Sequence, residues 1–218
     1  MSQRIYCISG LGADEKVFSQ LKLSNCELIF LQWIPPQENE TVQSYAKQIA
    51  AFITDGHPVL LGVSFGGIVA VEIAKLIHVE KLFLVSTPVT KDEQPWWMRF
   101  AGKLRLHKLV KPKPHPLLYP IENYFLGTSS KAERRMANHF RKHIDGRFMH
   151  WAINEIVTWN NVTKPANCIQ IHGTNDKLFP VRKVRTAHIV KGGGHFMIYN
   201  KAAEISSIIL NELQLRKQ

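Results

Sequence analysis

Five residues, Gly62-Val63-Ser64-Phe65-Gly66, constrain the fold of this chain more than any other stretch. The short apolar run Pro58-Val59-Leu60-Leu61 precedes them, as suits a strand buried on both faces. Gly67-Ile68-Val69-Ala70-Val71-Glu72-Ile73-Ala74-Lys75 follows with helical periodicity. Ser64 is therefore expected at a strand-to-helix turn, tight enough to strain its backbone and to require small neighbours, which Gly62 and Gly66 supply. Gly67 and Ala70 then allow the helix to lie close against the sheet. The alternation continues along the chain. Strands are expected near residues 4–9, 27–31, 58–63, 81–86, 167–172 and 186–190. Helices are expected near 14–20, 41–55, 65–77, 178–184 and 200–214, the second with Thr41 as N-cap and Val42, Tyr45, Ile49, Ala50 and Ile53 on one face. This order predicts an α/β fold, a mostly parallel sheet of about six strands with helices on both faces.

The alternation stops between Pro88 and about Asn160, where helical and proline-rich segments stand instead. A single domain, 1–218, is expected, with core 1–87 and 161–218 and a helical cap insertion at about 88–160. Trp96, Trp97, Phe100 and Leu104 form one apolar stripe of this insertion, and Phe148, Trp151, Ala152, Ile156 and Trp159 form another. Both stripes are expected to pack the insertion against the core, and a lid would also use such surface to face an acyl chain. Lys111-Pro112-Lys113-Pro114-His115-Pro116 cannot be helical and is expected as a stiff connector between two of its parts.

A serine exposed at a turn of this kind becomes a nucleophile only with a base and an orienting carboxylate. Asn167-Cys168-Ile169-Gln170-Ile171-His172 reads as a buried strand, and the loop Gly173-Thr174-Asn175-Asp176 sets a carboxylate at its C-terminal end, where open parallel sheets gather ligands. Thr186-Ala187-His188-Ile189-Val190 reads as a further strand, followed by the flexible turn Gly192-Gly193-Gly194-His195. Ser64, Asp176 and His195 thus provide nucleophile, carboxylate and base in that order along the chain. Asp176 also suits an ordinary cap of a helix starting near Leu178. His172 is the competing histidine, and its place at a strand end suits a structural hydrogen bond to the nearby loop better than a base.

With the turn at Gly62 to Gly66, the Gly-x-x-Asp at Gly173 to Asp176 and the Gly194-His195 pair, the chain resembles the α/β-hydrolase fold superfamily. The likeness is to its small, cofactor-free esterase and thioesterase-like members with a helical cap. That resemblance implies a serine hydrolase that cleaves a small or medium carboxylic ester or thioester through an acyl-enzyme, with Ser64, Asp176 and His195 catalytic. It also implies an oxyanion hole made by the backbone amides of Phe65 and of Leu11, the latter in the loop Ser9-Gly10-Leu11-Gly12-Ala13-Asp14. Many relatives carry His-Gly where this chain has Ser9-Gly10. The same residues also suit acyl transfer, or a ligand-binding relative that turns over slowly.

The formal net charge is +11. Residues 88–160 hold 13 Lys or Arg against 6 Asp or Glu, a difference of +7, so over half of the excess lies in the insertion. Such an excess suits solvated surface charge that keeps the protein soluble; above an esterase site it would also attract anionic esters, coenzyme A thioesters or acyl chains on an acidic carrier. No nucleic-acid-binding motif accompanies the charge, so no nucleic-acid partner is expected. No apolar run is long enough to span a bilayer and no signal peptide precedes the first strand, so a cytoplasmic protein without a membrane partner is expected. Cys7, Cys26 and Cys168 lack pairing or metal spacing and read as reduced core residues. His139 and His143 stand one helical turn apart, but no His-Glu-x-x-His and no third ligand accompany them, so neither a metal nor a cofactor is expected.

Overall fold

Among the described residues six strands, all parallel, form one sheet in the order β2-β1-β3-β4-β5-β6. They are β1 (Gln3–Ile8), β2 (Cys26–Phe30), β3 (Val59–Val63), β4 (Lys81–Val85), β5 (Cys168–Gly173) and β6 (His188–Val190). The computed structural model describes residues 2–105, 115–184 and 187–214. Residue 186 of the expected last strand and residues 111–114 of the expected connector lie outside the described residues. The strand order reverses between β1 and β3, and the C-terminal ends of those two strands border the crevice where open sheets of this kind hold ligands.

Side chains alternate across the sheet and build a core on each face. Tyr6, Ile8, Leu60, Leu82 and Leu84 face α1 (Val42–Ala50) and α2 (Phe65–Ile73). Ile5, Cys7, Leu61, Phe83 and Val85 belong to the opposite core, with Ile205 and Ile209 of α8 (Ala202–Gln214). Every residue of α2 is buried, which explains its near-continuous apolar sequence. Thr41 caps α1 by accepting the Ser44 amide at 3.2 Å, as expected.

Among the described residues four α-helices lie between β4 and β5: α3 (Trp96–Lys103), α4 (Tyr119–Leu126), α5 (Lys131–His143) and α6 (Gly146–Thr158). The α6 stripe packs as expected. Phe148 and Trp151 stand 6.4 and 5.6 Å from the Phe65 ring, and the Glu155 carboxylate accepts the Val42 amide at 2.8 Å, closing the N-terminus of α1. The α3 stripe does not pack inward. Trp96, Phe100 and Leu104 are exposed, while Met98 and Gly102 are the buried residues of α3, which packs on α6. A Cβ on Gly102 would strike the Val157 carbonyl, so close backbone approach, rather than aromatic bulk, decides which face of α3 turns inward.

Other elements are shorter than their patterns suggest. The helix expected at 14–20 is a 3-10 turn, Glu15–Phe18, and the one expected at 41–55 ends at Ala50. The helix expected at 178–184 is reduced to the 3-10 turn Val181–Lys183, because Pro180 sits in extended backbone and the Asp176 side chain takes the Leu178 and Phe179 amides. The C-terminal helix is preceded by a separate turn, α7 (Met197–Asn200). Among the described residues no helix is long and apolar enough to cross a membrane.

Candidate active site

Ser64 stands between β3 and α2 with φ 52° and ψ −119°, a conformation that costs a non-glycine residue energy and persists only where the surroundings enforce it. The enforcement is visible. The Ser64 amide donates to the Val85 carbonyl at 3.0 Å, and the Thr87 hydroxyl donates to the Ser64 carbonyl at 2.7 Å. A Cβ on Gly62 would lie 2.6 Å from the Gly67 Cα, and one on Gly66 would strike the Ser9 and Ile8 carbonyls. Both glycines are therefore required by contact, and the hydroxyl of Ser64 is thrust above the sheet.

The structure brings Ser64, His195 and Asp176 together. Ser64 Oγ lies 2.9 Å from His195 Nε2, and His195 Nδ1 lies 3.0 Å from Asp176 Oδ2. The hydrogen-bond network assigns the tautomer: Nδ1–H donates to the carboxylate, leaving Nε2 to accept the serine proton. The Asp176 side chain is wholly buried. Burial alone would raise its pKa, but the facing His195 and the Phe179 amide overcome it and hold the carboxyl below its usual range. Oδ1 also accepts the Leu178 and Phe179 amides, each at 2.9 Å. Capping and orientation, alternatives in the sequence, are combined in one side chain.

The loops that carry the acid and the base are stitched to each other. Asn175 donates its amide to the Gly193 carbonyl at 2.8 Å, and the Gly192 amide donates to Thr174 Oγ1 at 2.9 Å. Gly173 packs so tightly on Gly193 that a Cβ would strike its carbonyl. The far end of α4 joins this unit: the Phe196 amide donates to the Leu126 carbonyl at 2.9 Å, and a Cβ on Gly127 would lie 3.1 Å from the Gly194 Cα.

His172 occupies the structural place expected for it. It is completely buried, and its Nε2–H donates to the Phe179 carbonyl at 2.5 Å, 3.6 Å from Asp176 Oδ2. Burial lowers its pKa, against the opposing pull of the Asp176 charge. His139 and His143 are engaged elsewhere, Nε2 of the first 3.1 Å from Asp14 Oδ2 and Nδ1 of the second 2.7 Å from the His139 carbonyl.

The loop after β1 forms the other wall. Ser9 Oγ donates to the Ala13 carbonyl at 2.6 Å and accepts the Trp33 indole N–H at 2.9 Å, which ties the loop to a ring stacked on Phe65 at 5.5 Å. A Cβ on Gly10 would lie 3.4 Å from the Ser64 Cβ, so this backbone runs directly against the serine. Phe65 begins α2, and Leu11 follows Gly10 in the wall.

Ser64, His195 and Leu11 border one cavity of about 590 Å³. Its wall is apolar, drawing Met98 from α3, Leu118 and Ile121 from the α4 region, and Ile153 from α6. The insertion thus encloses space above the serine. Arg141 and Glu122 also reach the wall, features that periodicity could not reveal. They are bonded to each other at 2.6 Å, and Nη1 and Nη2 of Arg141 also donate to Asn138 Oδ1 and Asn123 Oδ1 at 2.7 Å each. The one cation among the described lining residues is thereby neutralised.

The family model described as the alpha/beta hydrolase family matches residues 10–207. No curated protein matches the chain. Solved structures align over nearly the whole length. A hydrolase from Pseudomonas aeruginosa PA01 superposes with a TM-score of 0.72 at 14% identity, covering 97% of this chain and 90% of that one. A thermophilic esterase from Thermogutta terrifontis gives 0.67 at 15% identity, covering 98% and 90%. A lipase-esterase related protein from Clostridium acetobutylicum ATCC 824 gives 0.65 at 18% identity, covering 96% and 93%.

Proposed function

The chain belongs to the alpha/beta hydrolase family, and on that premise we propose that it is a serine esterase acting on small or medium, largely apolar acyl esters or thioesters. The observation that carries this reading is the continuous relay from Asp176 through His195 to Ser64, 3.0 and 2.9 Å, at the wall of an apolar cavity. Residues 88–160 are the cap in this reading, and residues 1–87 and 161–218 the core. The esterase and the lipase-esterase related protein that share the fold agree with it by name.

Ser64 Oγ attacks the acyl carbonyl as His195 Nε2 takes its proton, and the imidazolium is stabilised by the Asp176 carboxylate. The oxyanion forms next to the amides of Phe65 and Leu11, at the N-terminus of α2 and in the wall opposite; each such donor is worth about 3 kcal/mol of barrier. The imidazolium then protonates the departing alcohol or thiol. Water, deprotonated by the same Nε2, cleaves the acyl-enzyme. The acyl chain occupies the apolar cavity, and the Arg141 charge, spent on Glu122, gives an anionic acyl group no advantage there. The basic surface therefore acts on encounter rather than in the pocket.

Turnover of p-nitrophenyl esters of graded chain length, together with fluorophosphonate labelling located by mass spectrometry, tests the proposal. The expected outcome is labelling at Ser64 and turnover that Ser64→Ala removes. Labelling elsewhere, or equal turnover by both proteins, overturns it.

A further inference from the structure

Exposed apolar surface is concentrated in one stretch of the insertion. Eight of the twelve large hydrophobic side chains exposed among the described residues lie between Trp96 and Tyr124, on α3, α4 and the turn before α4. Trp96 is 71% exposed and Leu117 is 80% exposed. On α3 the outward stripe runs Trp96, Phe100, Leu104, one residue per turn, while Met98 points into the cavity wall. Leu118 and Ile121 belong to both surfaces: they are about half exposed and also line the cavity. At α4 this apolar surface therefore borders the cavity that holds Ser64.

Its charge is one-sided. Arg99, Lys103 and Arg105 are exposed beside the aromatic stripe. Among the described residues of 95–126 the single acidic side chain is Glu122, which is bonded to Arg141. Asp92, the neighbour of Arg99 at 3.4 Å, is itself 71% exposed, and so open a pair leaves the arginine free to exchange partners. A helix with Trp, Phe and Leu on its outward stripe and Arg and Lys alongside is built to lie in the plane of a lipid–water interface.

We propose that the α3–α4 face seats the protein on an anionic lipid bilayer, with Trp96, Phe100 and Leu117 entering the headgroup boundary and Arg99, Lys103 and Arg105 pairing with lipid phosphates. This is peripheral docking, and it needs no spanning helix, of which there is none among the described residues. Charge decides against the second obvious occupant. Two copies joined through this face would set three exposed cations against their own images in a chain of net charge +11. Docking itself is independent of the esterase reading. Only its consequence, that Leu118 and Ile121 present the cavity rim to acyl chains in the lipid phase, rests on that reading.

Full-length protein carrying Ser64→Ala, so that no lipid is consumed, should co-sediment with phosphatidylglycerol-containing phosphatidylcholine vesicles. Binding should fall about tenfold on pure phosphatidylcholine and in about 0.5 M salt. Trp96→Ser with Phe100→Ser should weaken binding by about tenfold or more. The same pair placed in the Ser64 protein should leave hydrolysis of a soluble short ester unchanged, because neither side chain lines the cavity. Absence of co-sedimentation with anionic vesicles, undiminished binding by the double variant, or a dimer that dissociates on the double substitution would each overturn the docking assignment. Loss of soluble-ester turnover by the wild type would instead strike the esterase reading and leave docking standing.

Discussion

Asp176 carries two loads, and its chemistry separates them. Its Oδ1 caps the turn at Leu178 and Phe179 while the carboxylate receives the imidazole N–H. Asp176→Asn keeps an oxygen for the two amides but offers no charge to the imidazolium. We expect the thermal midpoint to move little and kcat to fall by about 10⁴-fold, read from melting and ester hydrolysis on one preparation. His172 makes a second prediction. Its native pKa lies below the ordinary 6.5, so the unfolded chain binds the extra proton first on acidification. Stability is then fully present above about pH 6.5 and declines by up to about 1.4 kcal/mol per pH unit as pH falls toward the native value. His172→Gln, which can still donate to the Phe179 carbonyl, should flatten that decline in denaturant titrations between about pH 7 and 5.5. An equally steep fall in the variant would reject the assignment. At this scale the sequence is readable where a residue type has few uses: a serine between two glycines, a histidine after three. It is silent on Arg141 and Glu122, whose partners come from different helices and leave no local spacing to detect.

Elements were legible wherever burial alone shapes the pattern. β3 is legible because Val59-Leu60-Leu61 is a continuous apolar run between Pro58 and Gly62, and the helix after Ser64 because its apolar stretch is too long for a strand. Periodicity overstates short segments where a side chain or a proline outcompetes the helix, as at 178–184, and it does not orient α3, because an apolar stripe cannot say which face a glycine brings close. The tightest inter-element contact yields a prediction of its own. Gly66 lies against the carbonyls at the end of β1, backbone atoms that cannot rotate away. Gly66→Ala should therefore displace the loop that holds Leu11 away from Ser64, costing about 1–3 kcal/mol in urea unfolding. Hydrolysis should fall more than this destabilisation explains at temperatures where the variant remains folded. Normal turnover in a folded Gly66→Ala protein would show that the β1 loop is not held by this contact.

For the molecule as a whole, the enclosed space predicts selectivity. Each methylene buried in an apolar site contributes about 0.8 kcal/mol, so kcat/KM should climb about fourfold per added methylene until the cavity of about 590 Å³ is filled, then level or fall. Ile153→Trp should bring that turning point to shorter chains while leaving acetyl esters unaffected, measured with a p-nitrophenyl series. A flat series would mean that the acyl group lies elsewhere. None of this was visible before the helices were in place, because a void between elements leaves no mark on the periodicity of any one of them. The same arrangement bears on how a spent acid escapes. α4 is held at both ends, by the Leu126 carbonyl to the amide beside His195 and by the Tyr119 ring and Glu122 carboxylate to Arg141. A helix pinned at both ends does not lift away as a rigid lid, so a departing acid is expected to pass where single side chains yield, such as the half-exposed Leu118 and Ile121.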